Sequence, residues 1–481
     1  MLKKILITFV LVLNTTVFSQ QKFPGLQSEI GEGNYKKAGL IIDSLITFSQ
    51  ITELDKYELS FQKELMDRIE KDFTRNRDYI FNQLKKYYPQ LTDQMLVEWE
   101  SSKALEMKLI NGEKRYFKNA IPNLFRIDKE AKKVKESIYS IGENKLADFL
   151  SVHIPALIYE SNLTKRQLLK PVKFRINYEL KVKPDVVPAG EVIRCWLPYP
   201  RSDNPRQLNI NLKEVNPKNH IISGNEFSHS SIYLEQTTVA GQPTIFSYEL
   251  EYLSYGSFLK LDDTKEYTVS KNSEVYSSFT TEQLPHIHFS DKLKEISQSI
   301  IGTEKNNYKK IKLIIEWLTE KIPWASAREY STLSAISDYC LDNMHGDCGI
   351  KSLLFITLCR YNGIPAKWQS GWMLHPGAVN LHDWAEVYFD EFGWITVDPD
   401  FGIQQNNDDL VKYFYASGID PYRYIVNDDY GKPLYPGKIY PRSETLDFQR
   451  GEVEWRGGNL YFDRWNYDMK VTYLSEDENE K

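Results

Sequence analysis

The chain of 481 residues carries 60 basic and 66 acidic side chains, with 41% hydrophobic and 13% aromatic residues. That is apolar mass for several cores, or about three domains at ~150 residues each. A formal net charge of −6 argues against the concentrated basic surface of a nucleic-acid binder, and four cysteines are too few for a small disulfide-built scaffold.

Residues 1–19 read as a signal peptide. Lys3 and Lys4 form a positive start, Ile5 to Leu13 is an apolar run, and Val17-Phe18-Ser19 offers a cleavage point before Gln20. Asn14-Thr15-Thr16 ends the run well short of the ~20 apolar residues that span a bilayer. No later stretch is long and apolar enough to span one. The mature protein is therefore expected to be exported, periplasmic or secreted, cut after Ser19 and soluble. No cysteine stands there to take a lipid.

Residues 20–168 predict a helical accessory domain. "ELDKYELSFQKELMDRIEKDF" has the i, i+3/i+4 apolar spacing and alternating charge of an amphipathic helix. Asn111-Gly112 between short apolar runs signals a type I′ hairpin. Over 169–288 the period changes to two. Phe174, Ile176, Tyr178, Leu180 and Val182 share one face, and "IFSYELEYL" repeats the alternation. These predict an antiparallel β domain of sandwich type. The prolines of "CWLPYPRSDNPRQ" place that stretch at an edge or in a loop, with Cys195 a packed small hydrophobe. Over 289–475 helices return, beginning with "TEKNNYKKIKLIIEWLTEKI" behind a Thr303 cap, and strands follow. The charged tail, 476–481, is expected to be disordered. The fold class is α+β.

The chemistry concentrates in "GDCGIKSLLFITLCRYNGIPAKW". Asp347 is a good N-cap type, an apolar interior follows, and Asn362-Gly363 with Pro365 ends the helix. Cys348 then falls at the first helical position, where unpaired N–H groups and the macrodipole stabilise an anion such as a thiolate. Its own N–H points where an oxyanion would form. Cys359 lies eleven residues on, about 16 Å along the same helix, too far for a disulfide; it reads as core. Cys340 is near enough in sequence to pair.

A nucleophilic cysteine needs a base and an orienting group. "HDWAEVYF" and "WITVD" read as two strands around Asp390–Gly393, with His382 at the start of the first and Asp398 at the end of the second. The ends of a hairpin meet, so the carboxylate can fix the imidazole that activates the thiol. Cross-strand partners share a face. His382 and Asp398 therefore face the same way only if paired residue numbers sum to an even value, as in Glu386 opposite Asp398. This requires an odd-length connection or a bulge near 390–394.

Gly346-Asp347-Cys348, Gly-Ile-Pro-Ala, His382-x-Trp384-x-Glu386, Gly393-Trp394 and Val397-Asp398-Pro399 follow one another over about 60 residues. In this order they resemble the transglutaminase-like superfamily of papain-fold thiol enzymes, and the likeness extends over about 290–475. The layout is similar to exported bacterial multidomain members. The resemblance implies a C-terminal transglutaminase-like α+β core, with Cys348 as nucleophile, His382 as general base then acid, and Asp398 as orienter. It implies an acyl-enzyme formed at an amide or peptide carbonyl. No cofactor or metal is implied. Family members often place an aromatic near the oxyanion; Trp324 and Tyr339 are both candidates.

Other residues read blandly. His286 and His288 form a weak His-x-His metal pattern. His345 and His375 read as solvated loop histidines, and Trp368, Trp372, Trp384 and Trp394 as core. H-E-x-x-H, G-x-S-x-G and P-loop motifs are absent. The reading is an exported cysteine-dependent amide or peptide hydrolase or acyltransferase acting on a peptide or protein. Its N-terminal domains would meet an envelope or cell-surface partner. The alternatives are a cross-linking glutaminyl transferase, a peptide-deglycosylating amidase, or a non-catalytic assembly module.

Overall fold

The computed structural model describes residues 23–139, 142 and 144–475. The signal peptide and the charged tail lie outside the described residues. Among those described, no helix is long and apolar enough to cross a membrane. Two compact units emerge. The first gathers the described residues up to Gly142 with Leu284–His286 and Pro323–Asp347; the second gathers those from 144 to Gln283, Ile287–Ile322 and Cys348 onward.

The first unit is mostly helical. The amphipathic stretch read from sequence forms Glu53–Asp72, opened by a capping box in which Thr52 and Asp55 exchange hydrogen bonds. Its buried side, Leu59 and Met66, packs with Ile42, Leu84, Trp99, Phe117 and Leu124. β1 (Met107–Ile110) and β2 (Glu113–Tyr116) make the expected hairpin. Asn111 and Gly112 both have positive φ, as a type I′ turn requires. The remote segment 323–347 is stitched in by polar contacts. Asn123 gives its amide N–H to the Ser326 carbonyl and takes the Ser326 N–H, both at 2.9 Å. Arg328 pairs with Glu106 at 2.9 Å.

The second unit holds three antiparallel sheets. Its strands in chain order are β3 (Leu168–Val182), β4 (Val192–Pro198), β5 (Gln207–Asn216), β6 (His220–Ile222), β7 (Ser231–Thr237) and β8 (Thr244–Phe258). They continue with β9 (Ala366–His375), β10 (Ala378–Phe389), β11 (Gly393–Val397), β12 (Gly418–Ile419), β13 (Arg423–Asn427), β14 (Glu452–Trp455), β15 (Gly458–Asn459) and β16 (Trp465–Leu474). One sheet runs β12-β8-β3-β16 with β5 on β8; a second runs β15-β14-β4-β7-β6. The period of two holds: Phe174, Ile176, Tyr178 and Leu180 of β3 are buried, and they share a core with Trp196, Ile232 and Leu234 of the facing sheet. β4 is an interior strand between β14 and β7, not the edge or loop expected. Its prolines fall at and beyond its last residue, so they remove no ladder bond. Cys195 is buried there.

The third sheet runs β11-β10-β9-β13. Trp372 and Leu374 of β9 and Tyr424 and Val426 of β13 join the sandwich core. The outer edge of β13 is satisfied by Gln207, whose amide both gives to and takes from Ile425 backbone at 2.9 and 2.8 Å. Hydroxyls of Tyr252 and Ser254 hold the Arg423 carbonyl at 2.8 and 3.0 Å. Against β9 and β10 packs a helix, Cys348–Tyr361, buried from Gly349 to Arg360. Beside it lies Asn307–Lys321, capped by Asn306 rather than by Thr303. The Asn306 side chain takes the Lys309 N–H at 3.0 Å; Thr303 sits three residues too early to reach that turn.

Candidate functional site

Cys348 is the first residue of its helix and is half-buried. The apolar run makes the helix hydrophobic all round, so it can only be a buried helix, and Gly363 at φ +74 ends it. Burial sinks the whole rod and leaves its first residue at the surface of the unit. None of the four cysteines forms a disulfide. Burial pushes the Cys195 and Cys359 thiols far above their ordinary range, so neither is chemically available.

β10 and β11 pair Ala385 with Val397 and Phe389 with Gly393. The sums are even, the connection Asp390-Glu391-Phe392 is three residues long, and the parity condition on His382 and Asp398 is met. The register is shifted by two residues from the illustrated one, which keeps the parity: Glu386 stands opposite Thr396. Gly393, at φ +75, supplies the left-handed residue that three-residue hairpin loops need. His382 lies inside β10 rather than at its start, because β10 begins at Ala378 to pair with β9.

His382 Nε2 is 2.7 Å from Asp398 Oδ2. An ionised carboxylate only accepts, so Nε2 carries the proton and Nδ1 keeps a lone pair. A His382 ring nitrogen, Cys348 Sγ and an Asp400 carboxylate oxygen lie within 4.8 Å of one another. With Nε2 committed to Asp398, Nδ1 is the nitrogen left to face the sulfur. Asp398 is fully buried. Burial alone would raise its carboxyl, but His382 and the Arg423 guanidinium outweigh that and hold it below its ordinary value. Arg423 Nη2 reaches Oδ2 at 3.1 Å, and the N–H groups of Asp400 and Phe401 reach Oδ1 at 3.2 and 3.0 Å.

Several neighbours went unread in the sequence. The Cys348 thiol donates to Asp383 Oδ2 at 3.2 Å, a carboxylate that opposes the helix's preference for a thiolate. Gln449 grips Asp383 Oδ1 at 2.7 Å and the His382 carbonyl at 2.9 Å. Lys351, one turn after the cysteine, holds Asp400 Oδ1 at 2.8 Å. Arg423 continues to Asp420, which also takes the Tyr415 hydroxyl at 2.9 Å and faces His375 Nε2 at 3.0 Å. Asp383 adjoins a motif residue and was within reach of sequence reasoning. Arg423, Asp420 and Gln449 come from loops and strands far along the chain, with no local pattern to mark them.

The other sequence candidates sort as follows. His375 is not a solvated loop residue; it is fully buried at the end of β9, stacked on Phe401 and Tyr422. His345 is buried in the first unit, where burial pushes it down to about 4. His286 likewise is pushed down to about 4 by burial, and neither it nor His288 lies on a strand. Trp324 stacks under Arg126 in the first unit, and Tyr339 lies against Arg328 in the same unit. Trp368, Trp372 and Trp384 are buried with their indole N–H groups satisfied. Glu386 of the motif pairs with Lys367 at 3.2 Å, which also binds Asp428 at 2.7 Å.

Residues 294–399 match the transglutaminase-like superfamily. The uncharacterized protein YebA of Bacillus subtilis (strain 168) is 27% identical over 167 residues, covering 30% of this chain and 22% of that protein. The match therefore spans under a quarter of the relative's length. Among solved structures, a candidate cysteine protease from Cytophaga hutchinsonii shares 17% identity at TM-score 0.44, covering 64% of this chain and 93% of that one. The periplasmic domain of TgpA from Pseudomonas aeruginosa shares 11% identity at TM-score 0.24, covering 48% and 88%.

Proposed function

Because this chain carries a domain of the transglutaminase-like superfamily over residues 294–399, a family of cysteine-dependent enzymes, we propose that it is an exported thiol hydrolase. It cleaves an amide bond in a peptide or protein. Cys348 is the nucleophile, His382 the general base and then acid, and Asp398 the orienter. The observation that carries the reading is the line from sulfur to imidazole to carboxylate. Cys348 Sγ lies within 4.8 Å of a His382 ring nitrogen, and His382 Nε2 is 2.7 Å from Asp398.

The chemistry follows from these atoms. His382 Nδ1 takes the thiol proton, and the thiolate attacks the substrate carbonyl carbon. The N-terminus of the Cys348 helix, at the positive end of its macrodipole, stabilises the oxyanion. His382 then returns the proton to the leaving amine, and a thioester remains. Water, deprotonated by His382, attacks the thioester and releases the acid and the free thiol. Two buried carboxylates, Asp398 and Asp420, face one guanidinium, Arg423.

The test is hydrolysis of a peptide library by mature protein, with Cys348→Ala as the control. Hydrolysis that disappears in the variant is the expected result. Iodoacetamide should alkylate Cys348 well before Cys359; equal rates in native protein would overturn the activated thiol. Adding a primary amine separates the acyltransferase reading, since amide formation outrunning hydrolysis would make the protein a cross-linker.

A further inference from the structure

The thiol site also collects metal donors. Cys348 Sγ, a His382 ring nitrogen and an Asp400 oxygen lie within 4.8 Å of one another. Asp383 Oδ2 is 3.2 Å from the sulfur. A tetrahedral zinc ion, with Zn–S about 2.3 Å and Zn–N or Zn–O about 2.0–2.2 Å, needs its donors roughly 3.3–3.8 Å apart. We infer that Cys348, His382 and Asp400 form a three-ligand site for a zinc-type divalent cation that silences the thiol reversibly, with water completing the tetrahedron.

Two features beyond proximity support this. A thiolate and an imidazole select zinc over magnesium or calcium, which prefer oxygen. Asp398 on the far nitrogen of His382 is the carboxylate partner that zinc-binding histidines use to fix orientation and basicity. Lys351 occupies Asp400 Oδ1, but a carboxylate has lone pairs enough to serve an ammonium and a metal together. On binding, a Zn–S bond forms and the S–H bond breaks, its proton leaving to solvent. No electron moves, and removing the metal restores the thiol.

The inference rests on the proposed enzymatic reading only in calling the ion inhibitory; binding itself is measured separately. Zinc chloride is titrated into the full chain against a competing fluorescent zinc indicator. In parallel, iodoacetamide alkylation of Cys348 is followed by peptide mass with and without zinc. One ion per chain is expected. Alkylation should slow by about tenfold or more and recover with EDTA. Asp398→Asn should weaken zinc binding about 10–100-fold, and Cys348→Ser should abolish it. Unchanged alkylation at saturating zinc, or full-affinity binding by Cys348→Ser, would overturn the site. Zinc bound and displaced from a protein that hydrolyses nothing in EDTA would uphold the site while overturning the enzymatic reading.

Discussion

The second unit contains two histidine–aspartate pairs joined by one arginine. His382 and Asp398 meet at 2.7 Å, His375 and Asp420 at 3.0 Å, and Arg423 reaches both carboxylates at 3.1 Å. Each histidine presents Nε2 to a carboxylate. What separates them is the other nitrogen. His382 Nδ1 is left to face the Cys348 sulfur. His375 Nδ1 is buried with no hydrogen-bond partner, among the rings of Phe401, Tyr422 and Phe149. The pairing itself is therefore not the mark of a catalytic site. A reactive atom on the second nitrogen is, and by that measure the His375 pair is a structural strut for its neighbour.

Replacing the two histidines in turn is the sharpest way to break this contrast. His382→Asn should lower kcat/KM on the order of 10³-fold or more, as loss of a general base does, beyond a stability cost of roughly 1–3 kcal/mol for the buried Asp398 carboxylate that loses its partner. His375→Asn should cost stability alone. Activity per folded molecule should stay within a few-fold, while stability drops by roughly 1–3 kcal/mol, the cost of leaving a buried partner unsatisfied. If His375→Asn removed activity as His382→Asn does, the division of labour would be wrong.

Arg423 is common to both pairs, so its loss should damage both. It is fully buried, and its guanidinium reaches both carboxylates. Arg423→Met leaves both without it, and breaking a buried pair in this way costs about 3–5 kcal/mol. Chemical denaturation reads that loss. At temperatures where the variant stays folded, it should also lower kcat more than KM, because Asp398 loses one of the contacts that orient His382.

How much of this was legible in the sequence follows from where each part lies on the chain. The apolar run after Gly346-Asp347 declared a buried helix with a cysteine at its start. The alternation of β3 and β8 declared a half-buried sheet, since period-two burial shows in any short window. Even the face shared by His382 and Asp398 reduced to a parity test on one loop. Asp420, Arg423 and Gln449 were opaque because their roles depend on strand β13 and the 443–455 segment returning to β9, and pairings so distant leave no local spacing. His375 was misread because Pro376-Gly377 after it looks like a loop. The turn there is the tight end of the β9–β10 hairpin, and the histidine before it is sealed.

Acid titration extends the comparison with a smaller effect. Burial pushes the His375 imidazole below its ordinary value of 6.5, and Asp420 only partly reverses that. The folded protein then binds fewer protons than the unfolded chain, and stability falls as the pH drops below about 6.5. Asp420 acts later. Arg423 and His375 outweigh its burial and hold its carboxyl well below 3.8. Its contribution is complete above about pH 3.8 and is lost as the pH falls through the folded value. Each group adds a slope of at most about 1.4 kcal/mol per pH unit. Urea midpoints measured from pH 7 to 5 should decline less steeply in His375→Asn than in the parent. Asp420→Asn should flatten only the limb below about pH 4.

The last comparison concerns the hairpin that sets His382 and Asp398 on one face. Gly393 has φ +75, and a Cβ built on it meets no atom within 4 Å. Gly393→Ala therefore incurs backbone strain alone, about 1–2 kcal/mol for a left-handed residue, and activity should persist because the three-residue loop and its parity are kept. Gly371, which pairs with His382 across β9 and β10, differs in kind. A Cβ there would sit 1.9 Å from the Tyr424 carbonyl oxygen, so alanine must push β13, and Arg423 with it, away from the sheet. A thermal scan with an activity assay separates the two cases. Gly393→Ala should lose stability but not turnover, and Gly371→Ala should lose both. Loss of turnover in Gly393→Ala at full folding would mean that the loop, and not the β13 arginine, sets the geometry of His382.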